Sequence, residues 1–258
     1  MHTTQQKFEE TAIIIKQEEI ADDIYSMWLH TEQIAAHAKA GQFVSVYCKE
    51  GSRLLPRPIS ICEIDRKDGA LRLVYRVAGK GTEEFSSMHT GMQLKVIGPL
   101  GNGFPKQEKK AFLIGGGIGI PPMLELAKEL NCEKQIVLGY RDELFLLDEF
   151  RKQGEVYIAT EDGRVGTEGN VLDAIRENGL TADVIYACGP LPMLRALKEY
   201  AAKEGIECWI SMEERMACGI GACLACVCKS TEKDAHSNVK NKRVCKEGPV
   251  FRAEEVDF

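Results

Sequence analysis

Four of the ten cysteines in this 258-residue chain, Cys218, Cys223, Cys226 and Cys245, follow the pattern C-x4-C-x2-C…C. That spacing is one by which a single chain holds a two-iron, two-sulfur cluster. The chemistry it implies is electron transfer, one electron at a time. The intervening residues are small, running Ala217-Cys218-Gly219-Ile220-Gly221-Ala222-Cys223. Such a loop can wrap a cluster with its backbone N–H groups directed at sulfur, because Gly219 and Gly221 reach angles that a β-carbon forbids. Amide hydrogen bonds to sulfur also tune the potential. A structural zinc site and unliganded core thiols are the competing readings. Zinc sites usually pair two close doublets, and a tight triplet followed by one distant cysteine departs from that pattern. Cys228 is a fifth candidate, read as a small buried hydrophobe because the spacing is complete without it.

Other segments have the composition of phosphate cradles. A strand at 111–114 runs into Gly115-Gly116-Gly117-Ile118-Gly119-Ile120-Pro121-Pro122-Met123, and a helix follows with Ile120, Met123, Leu124, Ala127 and Leu130 on one face. Glycines there admit close approach of a dinucleotide, and a helix N-terminus favours anions. The G-x-G-x-x-G fingerprint does not fit, since its third glycine would fall on Ile120. Cys188-Gly189-Pro190-Leu191-Pro192-Met193 ends a later strand. The plain alternatives are a tight strand-to-helix connection and a helix start with proline in its first turn. Upstream, Arg57-Pro58-Ile59-Ser60 opens a strand, and a guanidinium offers phosphate a planar fork of donors; Arg57 also reads as a surface cation. Val74-Tyr75-Arg76 ends another strand before Gly79-Lys80-Gly81-Thr82 opens a short helix. Glu83 and Glu84 in that first turn also suit the helix dipole, and Tyr75 reads equally as barrel packing.

The elements that must position these groups fall into three parts. The first hundred residues consist of short apolar, β-branched runs, with strands expected at 11–20, 24–30, 42–48, 58–64, 70–77 and 93–97, a barrel pattern with few helices. From Ala111 strands alternate with helical segments, as in a parallel sheet flanked by helices. The expected organisation is an antiparallel β-barrel over 1–104, a Rossmann-like α/β domain over 105–212 and a small cysteine-bearing domain over 213–258. A polar insert, 230–242, reads as a solvated loop. The net charge of −6 leaves no footprint for nucleic acid. No stretch approaches the roughly eighteen apolar residues of a membrane span, and the first twenty residues hold no signal-peptide core. Ten cysteines without an export signal fit a reducing cytoplasm. His2, His30, His37, His89 and His236 form no triad or metal spacing and read as surface or packing residues.

The glycine run and the Cys-Gly-Pro segment together resemble the pyridine-nucleotide half of the ferredoxin–NADP reductase superfamily. Arg57–Ser60, Val74–Arg76 and Gly79–Thr82 resemble its flavin contacts. In chain order, Leu55–Ile61, Tyr75–Thr82 and above all Met212-Glu213-Glu214-Arg215-Met216-Ala217-Cys218 continuing to Cys245 and Gly248-Pro249-Val250-Phe251 are similar to the electron-transfer subunits of NAD-dependent (type B) dihydroorotate dehydrogenase. The resemblance spans almost the whole chain. It implies FAD on Arg57, Pro58, Ile59, Ser60, Val74, Tyr75, Arg76, Gly81 and Thr82. It implies NAD at Gly116, Gly117, Gly119, Cys188, Gly189 and Pro190, and a 2Fe-2S cluster on Cys218, Cys223, Cys226 and Cys245. It also implies a partner subunit with FMN that oxidises dihydroorotate to orotate in pyrimidine (UMP) biosynthesis, in a heterotetramer of two of each chain. Electrons would pass from FMN to the cluster, to FAD and to NAD+, with no general base on this chain. For NAD over NADP, Asp142 and Glu143 would accept from a ribose hydroxyl while Arg141 argues the other way. Ile220 and Leu224 would face the partner. The small subunits of NADH-dependent ferredoxin:NADP oxidoreductase and of sulfide dehydrogenase share this plan and are the enzymatic rivals. A redox-sensing or zinc-binding module on an inactive reductase-like scaffold is the rival of another class.

Overall fold

The computed structural model describes residues 6–141, 143–233 and 238–258. Asp142, His2, His236 and the middle of the polar insert therefore lie outside the described residues. The first part forms a closed barrel from β1 (Phe8–Ala21), β2 (Ile24–His30), β3 (Phe43–Val46), β4 (Arg57–Asp65), β5 (Ala70–Arg76) and β6 (Gln93–Leu100), in the order β1-β2-β5-β4-β3-β6 with antiparallel neighbours. Alternate residues point inward, so Ile14, Met27, Leu29, Val44, Val46, Ile59, Ile61, Leu71, Leu73 and Leu94 fill one core. Two short helices accompany it, α1 (Glu32–His37) and α2 (Lys80–Ser86). The start of α1 is capped from another strand, where the Glu10 carboxylate accepts from the Gln33 and Ile34 amides at 3.1 and 2.8 Å.

The second part is a doubly wound sheet. It comprises β7 (Ala111–Gly116), α3 (Pro122–Glu129), β8 (Lys134–Tyr140), α4 (Leu147–Arg151), β9 (Glu155–Thr160), β10 (Thr167–Glu168), α5 (Val171–Glu177), β11 (Val184–Cys188), α6 (Leu191–Glu204) and β12 (Glu207–Ser211). The strands stand in the order β10-β9-β8-β7-β11-β12 and run parallel. Helices cover both faces, α5 and α6 on one and α3 and α4 on the other. This explains why β7 is buried along its whole length instead of alternating.

The cysteine segment is not a free appendage. It holds a small hairpin, β13 (Val227–Lys229) with β14 (Asn241–Arg243), and then returns to the large sheet as β15 (Val250–Arg252), antiparallel to β12. Ser230, at the start of the polar insert, is buried and bridges Val256, so that end of the insert is anchored and not a solvated loop.

Candidate functional site

Both strand ends that carry the glycine motifs meet at one place. Moving along the chain from β7, the sheet grows outward through β8, β9 and β10, then reverses and adds β11 and β12 on the other side of β7. The crevice outside the carboxyl ends at such a switch point is where open α/β sheets bind ligands. Gly116, Gly117 and Gly119 leave β7 there, and Cys188, Gly189 and Pro190 leave β11, with Gly115 and Cys188 paired in register. A β-carbon on Gly119 would overlap the Cys188 carbonyl, so glycine lets the two loops close on each other. Burial pushes the Cys188 thiol up to about 12, against a hydrogen bond with Ser211, which leaves an uncharged wall and not a nucleophile. A cavity of about 450 Å³ lies between the segments following β8 and β9, lined by Glu143, Leu144, Thr160, Asp162, Arg164 and Val165. Glu143 is thereby brought to a concave site at the strand ends, together with Asp162 and Arg164, which sequence reasoning did not select. A short turn around two positive-φ glycines, Gly163 and Gly166, is the local signal that could have marked them.

The flavin motifs also converge. Arg57 begins β4 and its guanidinium lies across Gly81 in the first turn of α2, where any β-carbon would collide with it. One Arg57 N–H also donates to the Leu55 carbonyl. The Thr82 hydroxyl accepts from the Ala78 and Gly79 amides at 2.9 and 3.3 Å and donates to the Gly79 carbonyl at 3.0 Å, so it pins the turn. Ser60 is half-buried on the outer face of β4 opposite Phe43, while Ile59 points into the barrel. Tyr75 is a packing residue by its ring, stacked on Tyr25 at 6.0 Å and edge-on to Phe85 at 6.1 Å. Its hydroxyl is buried without a hydrogen-bond partner among the described residues, and burial raises its pKa. Val74, on the opposite face, packs with Ile120 behind the Gly117–Gly119 turn, while Arg76 is exposed. A guanidinium lying over a glycine at the start of a helix suits a bound phosphate here.

The four cysteines come together as two neighbouring pairs: Cys223 lies close enough to Cys218 to influence its thiol, and Cys226 lies beside Cys245, whose amide donates to Cys226 Sγ at 3.4 Å. Successive amides serve different pairs: Gly221 N–H donates to Cys245 Sγ at 3.1 Å and Ala222 N–H to Cys218 Sγ at 3.3 Å. Against the effect of burial, the Ile220 amide, the Cys223 thiol and the Ala222 amide hold the Cys218 thiol down to about 6. Cys245 is pushed up, first by burial and then by the neighbouring Cys226. Among the described residues no three histidine, cysteine, aspartate or glutamate side chains form a ready single-ion shell. A two-iron cluster takes two thiolates per iron, which two pairs with amides aimed at sulfur suit. Cys228 is buried in the hairpin, and burial pushes its thiol up to about 11. Cys223, Ile220 and Leu224 are exposed around the loop.

The three sites lie in strand order. In the barrel β4 stands between β5 and β3. The end of β5 packs against the Gly117–Gly119 turn, and the outer face of β3 meets the cysteine loop, where a β-carbon on Gly219 would lie 2.7 Å from Ser45 Oγ.

Comparison with known proteins agrees with this arrangement. Residues 11–104 match the oxidoreductase FAD-binding domain, and residues 213–257 match the iron-sulfur cluster binding domain of dihydroorotate dehydrogenase B. The electron transfer subunit of dihydroorotate dehydrogenase B (NAD+) from Fusobacterium nucleatum is 44% identical over 254 residues, 93% of this chain and 95% of the relative. That of Geobacillus thermodenitrificans is 44% identical over 257 residues, 96% and 98%. A solved structure of an NADH-dependent reduced ferredoxin-NADP oxidoreductase, studied for flavin-based electron bifurcation, superposes with a TM-score of 0.86 at 30% identity, covering 100% of this chain and 91% of that one. The barrel, the nucleotide-binding sheet and the cysteine segment thus occur together in close relatives over nearly their full length, and the chain belongs to the family of dihydroorotate dehydrogenase B (NAD+) electron transfer subunits.

Proposed function

We propose that this chain carries electrons from a catalytic partner subunit to NAD+ in the oxidation of dihydroorotate, serving pyrimidine (UMP) biosynthesis. The observation that carries the reading is the strand order: the flavin motif on β4 lies between the strand that meets the nicotinamide turn and the strand that meets the cysteine loop. When bound, a flavin exchanges electrons singly with an iron–sulfur centre and in pairs, as hydride, with a nicotinamide, so FAD next to a 2Fe-2S cluster converts between the two.

The chain's own residues do the placing. Arg57 and the first turn of α2 would take the FAD pyrophosphate, Ser60 would approach the reactive edge of the ring, and Tyr75 would back the site with its main chain while its ring packs on Tyr25 and Phe85. Val74 and Arg76, on either side of Tyr75, and Pro58 and Ile59 would line the same site. Gly116, Gly117, Gly119, Cys188, Gly189 and Pro190 would hold NAD at the switch point, with Glu143 and Asp162 facing the ribose. Cys218 and Cys223 would hold one iron, Cys226 and Cys245 the other. No side chain is assigned as acid or base, because hydride transfer from flavin needs none.

The partner would carry FMN and dock over the exposed loop of Ile220, Cys223 and Leu224, in a heterotetramer of two of each chain. The described residues contain no helix long and apolar enough to cross a membrane, and cysteines left as free thiols fit a cytoplasmic setting. The test is anaerobic. The complex should contain FAD, iron and acid-labile sulfide, and bleach with NADH; the isolated chain should reduce artificial acceptors with NADH yet leave dihydroorotate untouched. Turnover of dihydroorotate by this chain alone would overturn the assignment, as would full retention of iron by Cys223→Ser for the ligand set.

A further inference from the structure

The chain reaches Arg57 through a surface loop between β3 and β4. From Lys49 to Leu55 every residue except Arg53 is exposed, Leu54 and Leu55 at 81% and 53%. Burial of apolar side chains therefore does not order this stretch. One carboxylate of α2 does. Glu84 Oε1 accepts from the Lys49 amide at 2.6 Å and from the Glu50 amide at 3.4 Å, and Glu84 Oε2 pairs with the Arg53 guanidinium. The turn between them is closed by the Arg53 amide, which donates to the Glu50 carbonyl at 2.9 Å, and by the Ser52 amide, which donates to the Glu50 carboxylate at 3.3 Å. Although burial opposes its ionisation, the two amides and Arg53 hold the Glu84 carboxyl below the usual carboxylate range. Two residues past Arg53, the Leu55 carbonyl accepts from the Arg57 guanidinium. That guanidinium lies across Gly81, three residues before Glu84 on α2 and so on the same helix face. Helix, loop and arginine close a ring: α2 holds the loop through Glu84, the loop holds Arg57 through Leu55, and Arg57 returns to α2 at Gly81.

We infer, on the assignment of Arg57 to the FAD pyrophosphate proposed above, that Glu84 is a positioning residue for FAD, clamping the 49–55 loop so that Arg57 is held over Gly81 before the phosphate arrives. Charge alone gives Glu84 the opposite effect. A carboxylate one helical turn from a phosphate site repels the ligand, and Arg53 offsets that repulsion only in part. The two roles therefore differ in sign.

The test titrates FAD into the full chain, stripped of flavin, and follows quenching of flavin fluorescence in the wild type, Glu84→Ala, Arg57→Ala and the double variant. Alanine is a strong helix former, so α2 should persist and the far-ultraviolet spectrum stay unchanged. Glu84→Ala should weaken FAD binding about tenfold, the scale of losing hydrogen bonds to a charged group. In the Arg57→Ala background the same change should weaken it little further, because the effect passes through Arg57. Without flavin, hydrogen exchange at the Lys49 and Glu50 amides should quicken in Glu84→Ala while the β3 amides stay protected. Unchanged or tighter binding by Glu84→Ala would overturn the inference, tighter binding being the result of removing a negative charge alone. An equal fold-loss with and without Arg57 would also overturn it, since a role in general stability ignores the arginine. If Arg57→Ala alone bound FAD like the wild type, the assignment of Arg57 would fall, and this inference with it.

Discussion

The barrel meets the rest of the molecule along two seams that differ in their polar contacts. Toward the nucleotide domain an ionic cluster lies beside apolar packing in which Ile24, Cys62 and Val74 share one buried cluster with Ile120, Met123 and Leu124. Arg72 Nη1 donates to Glu63 at 2.6 Å and to Glu149 at 3.4 Å, Arg72 Nε donates to Ser26 at 2.8 Å, and Lys128 of α3 pairs with Glu63. Glu63 and Arg72 are 7% and 6% exposed. Although burial opposes its ionisation, the hydrogen bonds from Lys128 and Arg72 hold the Glu63 carboxyl below the usual carboxylate range. Toward the cysteine segment the seam is apolar, stitched by Asn102, which donates to the Glu247 and Val250 carbonyls at 3.1 and 2.7 Å and accepts from the Val250 amide at 2.9 Å. It also holds the orphaned Ser45 hydroxyl. Glu63, Arg72, Ser26 and Lys128 thus satisfy one another with protein alone.

This contrast can be broken experimentally. Glu63→Gln leaves the buried Arg72 without its main counter-charge and should cost about 3–5 kcal/mol, read by denaturant unfolding at neutral pH, with the cluster spectrum unchanged; a cost well under this would mean the ionic seam is not what joins the domains. The sign of the pH dependence follows from the depressed Glu63 carboxyl. Its stabilisation is fully present above the ordinary carboxylate pKa of about 4.3, is lost as pH falls through the depressed value, and should be missing from the Glu63→Gln profile.

A smaller loss is expected at the other seam. Asn102→Ala should cost about 1–3 kcal/mol and appear as faster hydrogen exchange at Val250 and faster iron loss, with FAD retained. Uniform loss of FAD and iron together would show the seams to be one unit. Gly81→Ala brings a β-carbon against the Arg57 guanidinium, the far end of a flexible side chain, and should push it aside at little cost in stability. Weaker FAD retention on gel filtration, with an unchanged far-ultraviolet spectrum, is the expected reading.

The mildest test is chemical. In cluster-free protein, iodoacetamide labelling of Cys218 should persist at neutral pH and fall away below about 6, following its thiolate, whereas Cys188, with its thiol at about 12, should stay unlabelled through pH 9. Mass spectrometry of peptides decides it. Equal labelling of the two would remove the argument from loop amides.

Much of the fold is legible because it is written in local periodicity. Each of the six expected barrel strands overlaps an observed strand, since one inward face makes residues alternate. The α3 face of Met123, Leu124 and Ala127 was readable at helical spacing and is fully buried. What escaped depended on partners distant in sequence. α1 takes its cap from Glu10 on another strand, and α4 begins after Leu146 in a left-handed conformation at φ 60° that a leucine does not advertise. β15 has only three residues and exists because β12 offers it an edge.

Cysteine spacing, the glycine runs and the order of the three modules determined, without coordinates, that this chain handles electrons and dinucleotides. These signals survive in one dimension because a cluster loop and a phosphate turn are each built from a few contiguous residues. Which strand stands between which, that Ser45 faces Gly219, that Arg57 lies over Gly81, and that Glu63 and Lys128 meet across a domain boundary were decided only by tertiary structure. Sheet order and register fix them, and both arise from pairings between residues far apart in the chain.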